Sequence, residues 1–198
     1  MAKHRRTFTR EELLTYRDAT VPDLVRGDVR LLFVGINPGL WTAATQTHFA
    51  HPGNRFYPAL LRAGVIDRPI AQAAGMDTND RRHLLDRGIG ISNLVNRATV
   101  RASELNGGEL QEGARRLVAN IAAWKPAVVA VAGVTAYRVA FGQPRAKVGR
   151  QPEPLAGAEL WIVPNPSGLN AHETIDSLAA TYREVAIAAG VSVAEAHE

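Results

Sequence analysis

The sequence predicts a single three-layer α/β/α domain with a mainly parallel central sheet. Three observations carry this expectation. Short apolar runs rich in β-branched residues recur along the chain, segments of helical periodicity separate them, and 46% of the 198 residues are hydrophobic. Such runs read as strands buried on both faces, and helical crossovers between them imply parallel neighbours covered on both sides. A chain of this length can bury one substantial core, and no repeat, low-complexity tract or composition shift marks a second.

The elements follow in order. Thr9 and Glu12 have the spacing of a capping box and open a short helix through about residue 18. Residues 19–28, with Pro22 and Gly27, form a connector into the first core strand at residues 30–34. Asn54 caps a helix over residues 54–62 that presents Phe56, Leu60 and Leu61 to the core. Residues 89–93 form a second short strand. Leu110, Leu117, Ile121 and Trp124 repeat at helical spacing within residues 109–124. Residues 127–132 are a continuous Ala/Val strand, 135–141 a short helix, 160–163 the last core strand, and 173–189 a closing amphipathic helix. The expected organisation is a basic N-terminal tail and short helix over 1–20, the domain proper over 21–190, and a C-terminal tail over 191–198.

Composition narrows the function classes. With Cys 0, disulfides and thiolate-held metals or iron–sulfur clusters are excluded. No apolar run has the length that crosses a bilayer and no secretory signal precedes the domain, so no membrane partner and a cytoplasmic location are expected, nucleoid-associated if the source is bacterial. The formal net charge of +4, from 23 basic and 19 acidic residues, fits a polyanionic partner without demanding one. Lys3-His4-Arg5-Arg6, with Arg10 beyond, reads as a solvated tail, the alternative being an arm on phosphates. Arg145, Lys147 and Arg150, interleaved with Pro144 and Gly149, form a basic loop that suits phosphate contacts or simple solvation.

The most informative stretch is the first core strand and its loop, Leu31-Leu32-Phe33-Val34-Gly35-Ile36-Asn37-Pro38-Gly39-Leu40. Loops at the carboxyl ends of strands are where open α/β sheets bind ligands. Gly35 and Gly39 let a ligand approach the backbone, Pro38 stiffens the turn, and the Asn37 amide can hold a water or a base edge. A tight turn whose Asn merely tolerates unusual angles is the alternative on this loop alone. A nucleotide-binding loop is disfavoured, because neither a Gly-x-Gly-x-x-Gly turn nor a Gly-Lys-Ser/Thr loop is present. His48 and His51 have no nearby Cys or carboxylate, and Pro52-Gly53 argues against a helix there, so a metal site is not expected.

Four segments in order carry a resemblance: Gly35-Ile36-Asn37-Pro38-Gly39, Phe49-Ala50-His51-Pro52-Gly53-Asn54-Arg55-Phe56, Gly88-Ile89-Gly90-Ile91-Ser92-Asn93-Leu94-Val95-Asn96-Arg97-Ala98-Thr99, and Asn165-Pro166-Ser167-Gly168-Leu169. Together they resemble the mismatch-specific uracil/thymine-DNA glycosylases, the Mug/TDG branch of the uracil-DNA glycosylase superfamily, over most of the chain. The resemblance implies a uracil-DNA glycosylase-like fold and a monofunctional enzyme without cofactor or metal. Such an enzyme flips a uracil or a damaged or mispaired pyrimidine out of double-stranded DNA and hydrolyses its N-glycosidic bond. It implies that Asn37 positions the attacking water. It also implies that Gly35, Ile36, Gly39, Thr42, Phe49 and Asn93 line the base pocket, Phe49 as a stacking platform and Thr42 near the C5 edge of the base. Backbone N–H groups near Ile36 and Phe49 would receive the pyrimidine oxygens. Asn165, Ser167, Gly168, Leu169 and Asn170 would form the wedge and backbone-contact loop, with Leu169 entering the base stack. The family commonly carries Ser-Arg where this chain has Asn170-Ala171-His172, and that Arg helps to hold the opposite strand. Asn96 and Arg97 border the pocket, touch phosphate, or are solvated. A monomer is expected, since no sustained apolar stripe is left exposed. A non-cleaving lesion-binding relative is the alternative class, and intact Asn37 argues against it.

Overall fold

A computed structural model describes residues 7–194. The cluster Lys3-His4-Arg5-Arg6 and residues 195–198 lie outside the described residues. Among the described residues five strands form one sheet: β1 (Leu31–Gly35), β2 (Ile89–Asn93), β3 (Val128–Ala132), β4 (Gly149–Arg150) and β5 (Glu159–Val163). Their spatial order is β2-β1-β3-β5-β4, all parallel except the two-residue edge strand β4, which runs antiparallel to β5. Seven α-helices accompany them among the described residues: α1 (Arg10–Leu14), α2 (Leu40–Thr45), α3 (Phe56–Arg62), α4 (Thr78–Asp86), α5 (Gly107–Trp124), α6 (Val134–Phe141) and α7 (Ile175–Ala188). This is the α/β/α architecture that the alternating sequence predicts.

The period-2 alternation of each strand builds the layers. Leu31, Phe33, Ile89, Ile91, Val128 and Ala130 face one side and pack on Phe56, Leu60, Leu178 and Tyr182 of α3 and α7. Leu32, Val34, Val129, Val131, Leu160 and Ile162 face the other side, against Leu110, Leu117 and Ile121 of α5 and Tyr137 of α6. Phe33 lies edge-on to both Phe56 and Tyr182, at centroid distances of 5.0 and 5.1 Å. Full burial of each such side chain stabilises the fold by roughly 1.5–3 kcal/mol. The free edge of β2 is covered by the connector, where Leu24 and Ile91 exchange backbone hydrogen bonds of 2.9 and 2.8 Å. Exposed edges invite pairing with other chains, and this bridge blocks it.

Several boundaries differ from the sequence expectation. The first helix keeps its Thr9–Glu12 capping box but ends at Leu14, because the chain reverses through Asp18 at φ 65° and ties its N–H to the Ala98 carbonyl. Asn54 accepts a hydrogen bond from the Phe56 N–H, but the cap position itself is Arg55. Leu61, expected in the core, is exposed, and Ala59 takes the inward position. Helices α2 and α4 lie where the sequence pattern predicts no helix. Of the expected C-terminal tail, Val191 is buried and the Ala194 N–H donates to the Gly64 carbonyl, so residues 191–194 dock behind α3.

Topology puts the site where the order reverses. From β1 the chain proceeds to β2 on one side, and from β2 it returns past β1 to β3 on the other. The chain therefore leaves the carboxyl ends of β1 and β3 in opposite directions, the kind of switch point at which open α/β sheets bind ligands. One close contact fixes the rim. A Cβ on Gly113 of α5 would overlap the carbonyl of Leu94, directly after β2. Gly113→Ala should accordingly destabilise the fold by about 1–3 kcal/mol through overpacking against backbone. Gly107→Ala, whose Cβ would meet Val139 at an ordinary 3.6 Å, should be neutral or mildly stabilising. Urea unfolding of both variants checks this; equal midpoints would mean that helix α5 can move away from Leu94.

Candidate active site

The loops after β1 and β2 are stitched together beyond the strands. Leu94 N–H donates to Gly35 O at 2.9 Å, Val95 N–H to Ile36 O at 2.9 Å, and Thr99 N–H to Pro38 O at 3.2 Å. Asn37 stands inside this seam, half-buried. Its Nδ2 donates to Arg97 O and Thr99 Oγ1, both at 2.8 Å, and more weakly to Pro38 O at 3.2 Å. Thr99 Oγ1 gives its own proton to Arg101 O at 2.9 Å, so it meets Asn37 only as an acceptor. The amide nitrogen is thus held by acceptors alone. Among the described residues no donor reaches Asn37 Oδ1, and that oxygen is not sealed from solvent. The side chain is a fixed acceptor at the strand mouth.

The segment after α2 returns underneath. Thr42 is buried on α2, and its Oγ1 accepts the Ala50 N–H at 3.3 Å, so its hydroxyl holds the loop that carries Phe49. Phe49 adopts φ 54°, a left-handed conformation that a bulky side chain takes only when its surroundings enforce it. One ring face stacks on Phe56, with centroids 4.2 Å apart and planes at 26°. Its edge closes on Gly35: a Cβ there would sit 3.3 Å from Phe49 Cζ and 2.6 Å from Asn93 Oδ1. Gly35 therefore keeps a small space open between Phe49 and Asn93 at the end of β1. Among the described residues the N–H groups of Ile36 and Phe49 have no acceptor. Gly39 is exposed at the start of α2 and would accept a Cβ without contact.

Asn93 ends β2, buried, with its Nδ2 3.2 Å from His48 Nδ1. His48 is also buried, and its Nε2 lies 3.0 Å from Pro22 O. Burial lowers the imidazole pKa below its ordinary value, only partly countered by the Pro22 carbonyl and Asp23. His51 is exposed and uses Nδ1 to accept the Gly53 N–H. The two histidines of this segment thus serve separate local roles.

The loop between β5 and α7 is stapled by its own side chains. Asn165 Oδ1 accepts the Ser167 N–H at 3.1 Å, Ser167 Oγ the Leu169 N–H at 3.3 Å, and Asn170 Nδ2 donates to Asn165 O at 3.1 Å. Leu169 stands at the tip, 91% exposed. An isolated leucine held that far into solvent by a stiff loop has no packing role in the free protein. Arg55 braces the loop from α3. Its N–H donates to Pro166 O at 3.0 Å, and its guanidinium to Asn170 O at 2.9 Å and, at longer range, to the Ser167 and Gly168 carbonyls. Gly168 packs so closely that a Cβ would lie 2.5 Å from Gly53 O. The sequence pattern does not single out Arg55, though it lies in the segment 49–56. Its signal is a cation in a loop with no acidic neighbour, which only the folded chain aims at carbonyls.

Other sequence candidates fall away from ligand contact. Arg97 is committed to Glu109 and Asp18, both at 2.8 Å, and contributes its carbonyl to Asn37 instead. Asn96 accepts the Val21 N–H at 2.9 Å and fastens the connector. In the basic loop, Arg150 pairs with Glu159 at 2.9 Å, while Arg145 and Lys147 have no carboxylate partner among the described residues.

The sequence pattern of the Uracil DNA glycosylase superfamily matches residues 22–186 of the chain. Among solved structures, the chain is similar to the solution structure of a candidate uracil DNA glycosylase from Methanosarcina acetivorans. The two share 17% sequence identity and a TM-score of 0.54, over 84% of this chain and 96% of that chain. Similarity at this level of identity speaks for the fold.

Proposed function

The chain belongs to the uracil DNA glycosylase superfamily, and we propose that it is a monofunctional, mismatch-type DNA glycosylase of the uracil/thymine branch. Its substrate would be uracil or a related damaged pyrimidine, above all in a G·U pair of double-stranded DNA. The observation that carries this reading is Asn37. An amide pinned through its nitrogen by Arg97 O and Thr99 Oγ1, with its oxygen left free at the strand mouth, is built to accept a hydrogen bond from water.

A base stacked in a duplex is out of reach, so it is extruded into a pocket. Leu169 fills the vacated stack, and the flipped pyrimidine rests against Phe49, whose other face is supported by Phe56. Base–aromatic stacking contributes about 1–3 kcal/mol. As the N-glycosidic bond breaks, its electron pair leaves with the base, and the free N–H groups of Ile36 and Phe49 stabilise the anionic oxygens. Water oriented by Asn37 Oδ1 adds to the sugar C1′ and loses its proton to solvent, leaving an abasic site. No Lys occurs in residues 35–55 or 163–172. Without an amine nucleophile there the reaction stops at hydrolysis.

A labelled duplex carrying one G·U pair, incubated without metal or cofactor and then treated with alkali, tests the reading. Wild-type protein should give scission at the uracil; binding without scission would favour the non-cleaving relative. Asn37→Ala should slow single-turnover excision by about 10²-fold or more, the low end of what a proton-transfer or water-orienting group contributes. It should also lose about 1–3 kcal/mol of stability, because the Arg97 carbonyl and Thr99 hydroxyl lose their donor. Retention of nearly full rate would remove Asn37 from the mechanism.

Leu169→Ala should slow excision from well-paired U·A more than from G·U, since a wobble pair is already cheaper to unstack. Equal losses on single-stranded and duplex uracil would mean that Leu169 does not act on the stack.

Thr42 is the proposed filter against thymine. Because its hydroxyl also holds the Ala50 N–H, the informative change is Thr42→Ser, which keeps that bond and removes the γ-methyl. We expect G·U to be preferred over G·T in the wild type, with Thr42→Ser narrowing the gap about 10-fold or more, chiefly by faster thymine release. Single-turnover rates on both mispairs decide it, and unchanged discrimination would locate the filter elsewhere.

A further inference from the structure

His48 makes two hydrogen bonds that constrain each other. Nε2 faces the carbonyl of Pro22 at 3.0 Å, and a carbonyl can only accept, so Nε2 carries the hydrogen. In a neutral imidazole Nδ1 is then a bare acceptor, and the atom opposite it at 3.2 Å must be a donor, the amide nitrogen of Asn93. Both side chains are buried. Burial also disfavours the charged ring, in which Nδ1 would become a second donor. The ring is anchored further by its own backbone, whose carbonyl accepts the Tyr57 hydroxyl at 2.9 Å.

Fixing the nitrogen of an amide fixes its oxygen. Asn93 Oδ1 has no donor among the described residues and is directed to the space beside Gly35 and the edge of Phe49, where a Cβ on Gly35 would lie 2.6 Å away. An amide in this place could present either end to a ligand, and the two ends read opposite patterns. The oxygen accepts from a ring N–H, as at N3 of uracil or thymine; the nitrogen would instead suit the bare N3 of cytosine.

Resting on the glycosylase reading above, we infer that His48 is a positioning residue: its Nε2–H tautomer locks the Asn93 amide so that Oδ1, and not Nδ2, is presented to the flipped base. His48 touches no reacting atom. It acts through Asn93, and its loss should appear as a slower excision step with unchanged duplex affinity.

The test is a double-mutant cycle on single-turnover excision of uracil from a G·U duplex, with duplex affinity measured in parallel. His48→Phe, which keeps a flat ring and removes both nitrogens, should lower the rate about 10-fold at unchanged affinity. His48→Asn, whose Oδ1 can replace Nδ1 as an acceptor, should recover most of that loss. In an Asn93→Ala background, His48→Phe should cost nothing further. A loss of the same factor in both backgrounds would show a merely structural role and overturn the inference. Full activity in His48→Phe beside a crippled Asn37→Ala would also overturn it, while leaving the glycosylase reading intact; wild-type protein inert on G·U would remove both. Should His48→Phe fail to fold, the ¹⁵N shifts of the wild-type imidazole decide directly. A protonated Nε2 and bare Nδ1 near neutral pH support the lock, and the reverse tautomer or a charged ring refutes it.

Discussion

The site depends on a sheet that continues as hydrogen bonds after its strands have ended. β1 and β2 stop at Gly35 and Asn93, yet their loops stay paired through Leu94 to Gly35, Val95 to Ile36 and Thr99 to Pro38. Loops normally carry lower local stability than the elements they join. Here the pairing gives two of them strand-like order without strand geometry, and Asn37 is fixed because the seam supplies acceptors on the far side. The same seam sets Gly35 against Asn93 and Phe49. Behind it, Leu94 rests on Gly113 of α5, so the outer helical layer bears directly on the rim.

How much of this is legible in sequence depends on where the determining interactions are local. Of the four parallel strands, β1, β3 and β5 announce themselves through apolar runs, α5 does so through helical period, and the Thr9 cap follows from Glu12. Helix α2 does not, because Leu40–Thr45 is a single short stretch after Pro38-Gly39, with no side-chain cap and β-branched residues at Thr42 and Thr45. Helix α4 buries only Asp80 and Leu84 among residues that are otherwise largely polar. A capping pair, Asp77 and Asp80, marks its start, but as an Asp-x-x-Asp pattern rather than the usual Ser/Thr-x-x-Glu. Leu61 misleads because helical spacing leaves the rotation of a short helix ambiguous by one residue.

The candidate site divides along the same line. Asn37, Gly35, Phe49 and Leu169 stand in motifs and could be singled out from the chain. Their supports could not, since each is a contact across 45 to 115 residues: His48 with Asn93, Asn37 with Arg97, Arg55 with Asn170. Arg97 shows the hazard of reading a side chain where the backbone matters. Its guanidinium is neutralised by two carboxylates, and its contribution to the site is a carbonyl oxygen. Charge composition is similarly indirect. Arg26, Arg68 and Arg87 are all engaged with aspartates, whereas Arg145 and Lys147 have no carboxylate partner among the described residues, so the modest net charge does not say which cations are free to meet a polyanion.

If Asn37 positions water as proposed, its surroundings also explain why an amide stands where a carboxylate would be the stronger catalyst. A carboxylate could orient water and stabilise a cationic sugar. Yet the position now filled by Nδ2 faces Pro38 O, Arg97 O and Thr99 Oγ1, and the threonine proton is already given to Arg101 O. An Asp at 37 would press an anionic oxygen against three acceptors with no donor in return, and an unpaired charge so placed is costly. Asn37→Asp should therefore weaken the seam rather than accelerate the reaction. The neutral amide is what this backbone permits. On the proposed function, the barrier would then be lowered largely on the side of the departing base, through the Ile36 and Phe49 N–H groups, which suits bases that leave or unstack readily.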